Sequence, residues 1–295
     1  IVFLGIFSNV INMVVFLKQG VGDNVNLSLF ALAVSELCSL LPLVWHGFIA
    51  HTRFLGPDVD FVGSEVHFLT TGWPHTIFTK VTSWVTAFIM FERCLCIALP
   101  LKVKTVLTTT RVKLCLVSIF VLVLAGVVPT YATHSLGWKF YPALNRTLLG
   151  LKKTDNARDV TQISNLINNS ISSFISYSVT LVCTTIIIFQ LNKKTKWRET
   201  TAGSGDKGSN PVSARDRRAV KTVTIVSGIF LVRVTPSIVV VMATSIDDQF
   251  TLAGKYGNLL VLIYGIIFDL EALNSSVNIL VYYKTNRRYR HTFKS

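Results

Sequence analysis

The chain predicts an all-α membrane protein: a seven-transmembrane helix bundle ending in a short amphipathic helix. Three observations predict it. Seven apolar runs are long enough to cross a bilayer. Only 15% of the 295 residues are charged, where soluble domains carry about a quarter, and mean hydropathy is +0.52. Positive charge also collects in alternate connections between the runs. The same composition argues against a water-soluble enzyme, a disordered chain and a disulfide-stapled secreted scaffold.

The runs cover residues 1–17, 26–50, 66–99, 112–131, 163–191, 220–244 and 258–283, with a surface helix over 284–295. They are far too long for barrel strands of about 10 residues. The first has no charge, no basic leader and no small-residue cleavage site, so it reads as a span cut short, with an extracellular segment expected upstream. Connections 51–65 and 133–162 are polar. Connection 192–216 holds the Gly/Ser-rich stretch 201–214, which reads as a flexible insert. No internal repeat or second domain is visible, so residues 1–295 form one unit.

Odd-numbered connections and the tail carry twenty basic residues against five acids, counting helix ends; the even-numbered connections carry seven of each. The positive-inside rule therefore expects a cytosolic C-terminus in a multi-pass plasma-membrane protein. Topology and anionic lipid account for the net charge of +14, and no nucleic-acid partner is implied. Asn145-Arg146-Thr147 is a glycosylation sequon in an outward connection. Cys38, Cys94, Cys96, Cys115 and Cys183 all lie in or beside spans, so no extracellular disulfide is expected. The six histidines are scattered without metal-ligand spacing or a convergent nucleophile, and no metal centre or enzyme activity is expected.

Charged groups at mid-bilayer cost about 2.5–3.5 kcal/mol each, so those inside spans should face the bundle and find partners. In the third run, His75, Thr79, Thr82, Thr86 and Arg93 recur at helical spacing, one polar ridge about 27 Å long. Glu271, Asn274, Ser275, Asn278 and Tyr282 form a second ridge in the seventh. Glu36 and Asn9 add buried polar groups. These residues serve either a functional interior or simple interhelical hydrogen bonding.

Together these positions resemble the rhodopsin-like (class A) G protein-coupled receptors. Glu92-Arg93-Cys94-Leu95-Cys96-Ile97-Ala98-Leu99-Pro100-Leu101 matches the family pattern D/E-R-Y-x-x-I-x-x-P-L except at the Tyr. Gly5-Ile6-Phe7-Ser8-Asn9, Leu32-Ala33-Val34-Ser35-Glu36 and Asn278-Ile279-Leu280-Val281-Tyr282 resemble the first-, second- and seventh-helix motifs, with Glu for Asp in the second and the proline missing from the last. Phe230 and Pro236 keep the frame of the sixth-helix motif without its Cys and Trp. The family's cysteine at the outer end of the third helix is absent, as are its usual Trp in the fourth and Pro in the fifth. Within the family the wording is most similar to molluscan chemosensory receptors, with neuropeptide receptors second.

The resemblance implies a bundle that binds an extracellular small molecule or short peptide and opens to a heterotrimeric G protein at the cytosolic face. Coupling and switching would fall to Glu92, Arg93, Asp216, Asn278 and Tyr282. Arg93 would pair with Asp216 in the inactive state, although Asp216 also suits a helix N-terminus on dipole grounds alone. Glu36, Thr82, Asn274, Ser275 and Asn278 resemble the family's sodium site. The outer pocket would be lined by His75, Thr76, Thr79, Lys80, Arg233, Ser237, Phe268, Glu271 and Ala272. His75 stands where amine receptors carry an Asp, against a monoamine ligand. Ala272 stands at the opsin lysine position, so no retinal is expected. Lys80 and Arg233 either engage an acidic ligand or neutralise Glu271 and Asp269. A transporter or channel is the competing class; its paired repeats and broken spans are not seen.

Overall fold

A computed structural model describes residues 1–52, 59–99, 102–201, 211–246, 249–250 and 254–294; within these, the side chains of 50–52, 104, 191–192, 194–201, 211–223 and 245–246 lie outside the described set. Seven spans lie at Val2–Gln19, Asn24–Ile49, Gly63–Ala98, Thr109–Thr133, Ala157–Gln190, Thr224–Thr244 and Gly257–Thr285. Each coincides within a few residues with an apolar run, because only a helix satisfies its backbone groups inside lipid. The sixth helix extends back to Pro211 and the fifth on to Thr201, so helix takes in much of connection 192–216 and reaches only the two ends of the stretch 201–214 read as a flexible insert. Residues 202–210 fall outside the described set.

The first span packs on the second and seventh, the third on the second and fifth, and the sixth on the seventh and fifth. The fourth stands at the margin, with Leu114, Val117, Val121 and Leu122 turned outward. Its helix starts at Thr108, whose side chain accepts from Arg111 N at 3.4 Å, an N-cap bond. Pro42 and Pro236 interrupt the hydrogen-bond ladders of the second and sixth helices. Two π-helical turns, Phe68–Gly72 and Asn165–Ile171, lie near the same end of the bundle.

The main apolar core fills the other half. Phe16, Leu32, Val81, Val85, Met90, Ile187 and Tyr282 are buried there, joined by Tyr289 from the C-terminal helix Arg287–Lys294. Asn286 caps that helix, its side-chain oxygen accepting from Arg288 N at 3.0 Å and Tyr289 N at 3.2 Å. The Tyr289 hydroxyl donates to Asn12 Oδ1 at 2.6 Å, and Arg288 Nη2 donates to the Gln19 carbonyl at 2.7 Å. Its aromatic face meets the bundle while Arg287, Arg288, His291 and Lys294 face outward.

Connection 133–162 departs from its reading as a polar loop. It holds an antiparallel hairpin, β1 (His134–Tyr141) paired with β2 (Arg146–Lys153), and its last residues begin the fifth span. Asn145, the sequon residue, takes the left-handed conformation at the tip (φ 48°), which asparagine tolerates. Both strands carry lysines, and the buried positions of β2, Leu148, Gly150 and Leu151, do not alternate, so the sequence shows no strand pattern to betray them. All five cysteines are free. The hairpin is instead held by Glu65, whose Oε2 accepts from the Tyr141 hydroxyl at 2.7 Å and from Leu151 N at 2.6 Å. Val62 N also donates to Leu149 O, and Leu149 N to Asp60 O. Partial burial and the adjoining Glu65 carboxylate hold the Tyr141 phenol above its ordinary pKa, keeping it a donor.

Candidate functional site

Three helices bring their intramembrane charges to one node toward the hairpin end. Glu271 of the seventh span is buried, and its carboxylate is shared. Oε1 accepts from Thr79 Oγ1 at 2.8 Å, while Oε2 lies 3.1 Å from Arg233 Nη1 and 3.3 Å from His75 Nε2. His75 Nδ1 donates to the Ser39 carbonyl at 2.8 Å, tying in the second span. An imidazole facing two acceptors donates to both only as the cation, so protonation tightens this node. Phe268 closes one side, edge-on to His75 at 5.0 Å between centroids.

Arg233 is not satisfied by this arrangement. Its guanidinium stacks over Phe230 at 5.1 Å, but Nε and Nη2 are buried with no acceptor. A buried donor left unpaired costs about 1–3 kcal/mol, so two of them are a strained resting arrangement. Lys80, one residue past Thr79 in the third span, turns away from the node and donates to Ser173 Oγ of the fifth. It has no acidic partner among the described residues. Lys80 lines a narrow crevice of about 20 Å³ with Thr76, Trp73, Ile77, Asn168 and Asn169. The π-turn Asn165–Ile171 supplies the two asparagines. Asn168 Nδ2 donates to Gly126 O at 2.8 Å, and Asn169 Oδ1 is buried without a partner.

The pocket residues expected from sequence thus divide. His75, Thr79, Arg233, Phe268 and Glu271 meet; Thr76 and Lys80 face the crevice beside the fifth span. Ala272 packs in a separate apolar cluster with Leu40 and Leu43. Ser237 is half-buried and makes no hydrogen bond to the node among the described residues. The neutralising alternative holds for Arg233 with Glu271, 3.1 Å apart, but not for Asp269. Asp269 does not share in neutralising Lys80 or Arg233, because it stands on the exposed face of its helix. Lys80 and Arg233 against Glu271 alone leave one positive charge in excess.

A second polar group lies deeper. Glu36 Oε1 and Oε2 accept from Asn278 Nδ2 at 2.7 and 3.0 Å, and Oε1 from Asn274 Nδ2 at 3.4 Å. The Oδ1 atoms of Asn9, Asn274 and Asn278 are buried without donors. Thr82 is not on Glu36: its hydroxyl meets Ser35 Oγ at 3.0 Å and the Phe78 carbonyl at 3.0 Å. Ser275 is buried alongside. One carboxylate and three orphaned carboxamide oxygens are a donor set that fits a hard monovalent cation.

At the far end, Arg93 Nη2 lies 2.6 Å from Oε1 of its neighbour Glu92, and Glu92 Oε2 accepts from Ser28 Oγ of the second span at 3.1 Å. Arg93 Nε is buried without an acceptor. The pairing of Arg93 with Asp216 expected from sequence falls on a side chain outside the described residues; among those described, Arg93 meets Glu92. Ser28 was not singled out by the sequence; a lone serine at a helix end carries no pattern. Tyr282 is buried against Phe16 and Tyr289, with ring centroids 5.4 and 5.6 Å away.

Seven antiparallel spans with a charged node at one end and a buried Glu-Arg tie at the other define a membrane receptor bundle. The family model for the 7 transmembrane receptor (rhodopsin family) matches residues 8–282, and the chain belongs to that family. It is a multi-pass G protein-coupled receptor, of a family whose members bind extracellular ligands and heterotrimeric G proteins. No curated protein matches the chain.

Proposed function

We propose that this receptor is chemosensory, detects an extracellular ligand bearing an acidic group, and signals through a heterotrimeric G protein at the Arg93 face. The observation that carries the reading is the excess positive charge beside Glu271: among the described residues, Arg233 keeps two buried donors without acceptors and Lys80 has no acidic partner. A carboxylate or similar oxyanion fits a guanidinium fork. The charge asymmetry of the connections supports the hairpin end, with its Asn145 sequon, as extracellular and the C-terminus as cytosolic.

The geometry suggests how binding couples to opening. Glu271 ties the third span (His75, Thr79) to the sixth (Arg233) across the seventh. A ligand acid that takes Arg233 competes with Glu271 for it and frees the sixth span to pivot about Pro236. The shift is limited to the difference in the ligand's affinity for the two states. At the cytosolic end, opening releases Arg93 from Glu92, which Ser28 holds in the resting state, for the G protein. A sodium ion at Glu36 with Asn9, Asn274 and Asn278 would hold the resting packing of the first, second and seventh spans.

The test is a co-expression screen with a promiscuous G protein against small acids, amines and short peptides, followed by Arg233→Glu. Loss of the response to an active acid at unchanged surface expression supports the reading. Retained potency refutes the role of Arg233.

A further inference from the structure

His75 and Arg233 rest on the same oxygen atom. Glu271 Oε1 is taken by the Thr79 hydroxyl, so Oε2 serves both His75 Nε2, at 3.3 Å, and Arg233 Nη1, at 3.1 Å. The other ring nitrogen of His75 meets the Ser39 carbonyl at 2.8 Å. A carbonyl and a carboxylate only accept. A neutral imidazole donates to one of them and turns a lone pair on the other; the cation satisfies both. The node therefore has a place for one proton, and the side chain that takes it ordinarily titrates between pH 5 and 8.

The two states of His75 leave Arg233 in different positions. With the ring neutral, one guanidinium faces one carboxylate, and the seventh span holds the sixth. With the ring charged, two cations share a single anion. His75 is then held on both sides, by Ser39 and Glu271, whereas Arg233 has Glu271 alone and keeps Nε and Nη2 without acceptors. The tightening around His75 thus comes at the expense of Arg233. No other charge faces the ring among the described residues. Lys80, on the same helix, turns to Ser173 of the fifth span, and Glu36 of the second is engaged by Asn278. His46 of the second span meets Phe268 and His67. The first span brings only Val2 and Ile6 toward Phe268.

We propose that this receptor also senses extracellular protons: protonation of His75 draws the charge of Glu271 away from Arg233, weakens the hold of the seventh span on the sixth, and favours opening. The proton is a ligand in its own right. It acts in the same direction as an acidic molecule that takes Arg233, so by reciprocity each raises the affinity for the other. The inference rests on the Arg233–Glu271 latch of the proposed function but not on the acidic ligand.

The experiment reads G-protein activation by resonance energy transfer in cells expressing the full receptor. The external medium is stepped from about pH 8 to about pH 6 in amine buffers that bring no acid group, and the host's own response is subtracted with mock-transfected cells. Ligand-free output of the parent is expected to rise about fivefold or more on acidification. His75→Gln, which cannot gain the charge, should stay low at both values. His75→Lys, which carries a cation at both, should stay near the parent's acidic level, a gain that misfolding cannot imitate. A flat parent overturns the proposal, as does a fall on acidification or a rise that survives in His75→Gln. The two readings fail separately: a receptor that answers an organic acid but not pH loses the proton alone, and one that answers pH through His75 but no acid keeps it.

Discussion

Replacing Glu271 with leucine removes one carboxylate and strands three donors at once. Arg233 suffers most, because Nη1 loses its acceptor while Nε and Nη2 already have none. A buried guanidinium with no counter-charge costs about 3–5 kcal/mol, and the lost Thr79 and His75 contacts add to that. Glu271→Leu should therefore lower the apparent Tm of the purified receptor by on the order of 10 °C. The double variant Glu271→Leu/Arg233→Met should recover most of the loss, because an apolar pair of similar volume removes both desolvation penalties. The assay is thermal unfolding in detergent with a thiol-reactive dye, which the chain's free cysteines permit. Either a single variant within 1 kcal/mol of the parent, or a double variant no better than Glu271→Leu, would refute the reasoning that Glu271 is the principal counter-ion of Arg233.

Other consequences can be measured separately. Ser28→Ala removes a hydrogen bond to a charged group worth about 1.5–3 kcal/mol, so ligand-free G-protein activation should rise roughly tenfold or more, and Glu92→Gln should raise it further; unchanged basal output in well-expressed variants refutes the tie at Arg93. Glu36→Ala should make agonist affinity equally indifferent to sodium and potassium, whereas the parent distinguishes them; a parent that already ignores the exchange has no cation at that carboxylate. Glu65→Ala should speed amide exchange at Leu151 by at least tenfold, as its charged acceptor is lost. Tyr289→Phe should cost about 1 kcal/mol and loosen the C-terminal helix from Asn12, read by exchange across Arg287–Lys294.

Much of the fold was legible because lipid enforces a single rule: an apolar run of about 20 residues becomes a helix. The two polar ridges were readable for a related reason, since His75 and Thr79 or Glu271 and Asn278 recur at helical spacing among residues that have no use for water. Partners were less legible. Ser28 to Glu92, and His75 to Ser39, depend on how helices rotate and cross, which periodicity does not fix. Lys80 and Thr79 are adjacent in sequence, yet a turn of about 100° per residue sends them to different helices. The hairpin is not legible because lysines interrupt both strands and the buried positions Leu148, Gly150 and Leu151 do not alternate. Asp269 was grouped with Glu271 by proximity along the chain, when two positions on a helix lie nearly opposite.

The central claim is that an acidic ligand, received near Arg233 and Lys80, drives G-protein activation at Arg93. Its most direct test is nucleotide exchange on a purified heterotrimer by the receptor in lipid nanodiscs, challenged with carboxylic acids and their methyl esters. The account predicts that at least one acid accelerates exchange, that its ester does not, and that Arg233→Glu abolishes the effect. Equal stimulation by acid and ester would contradict it.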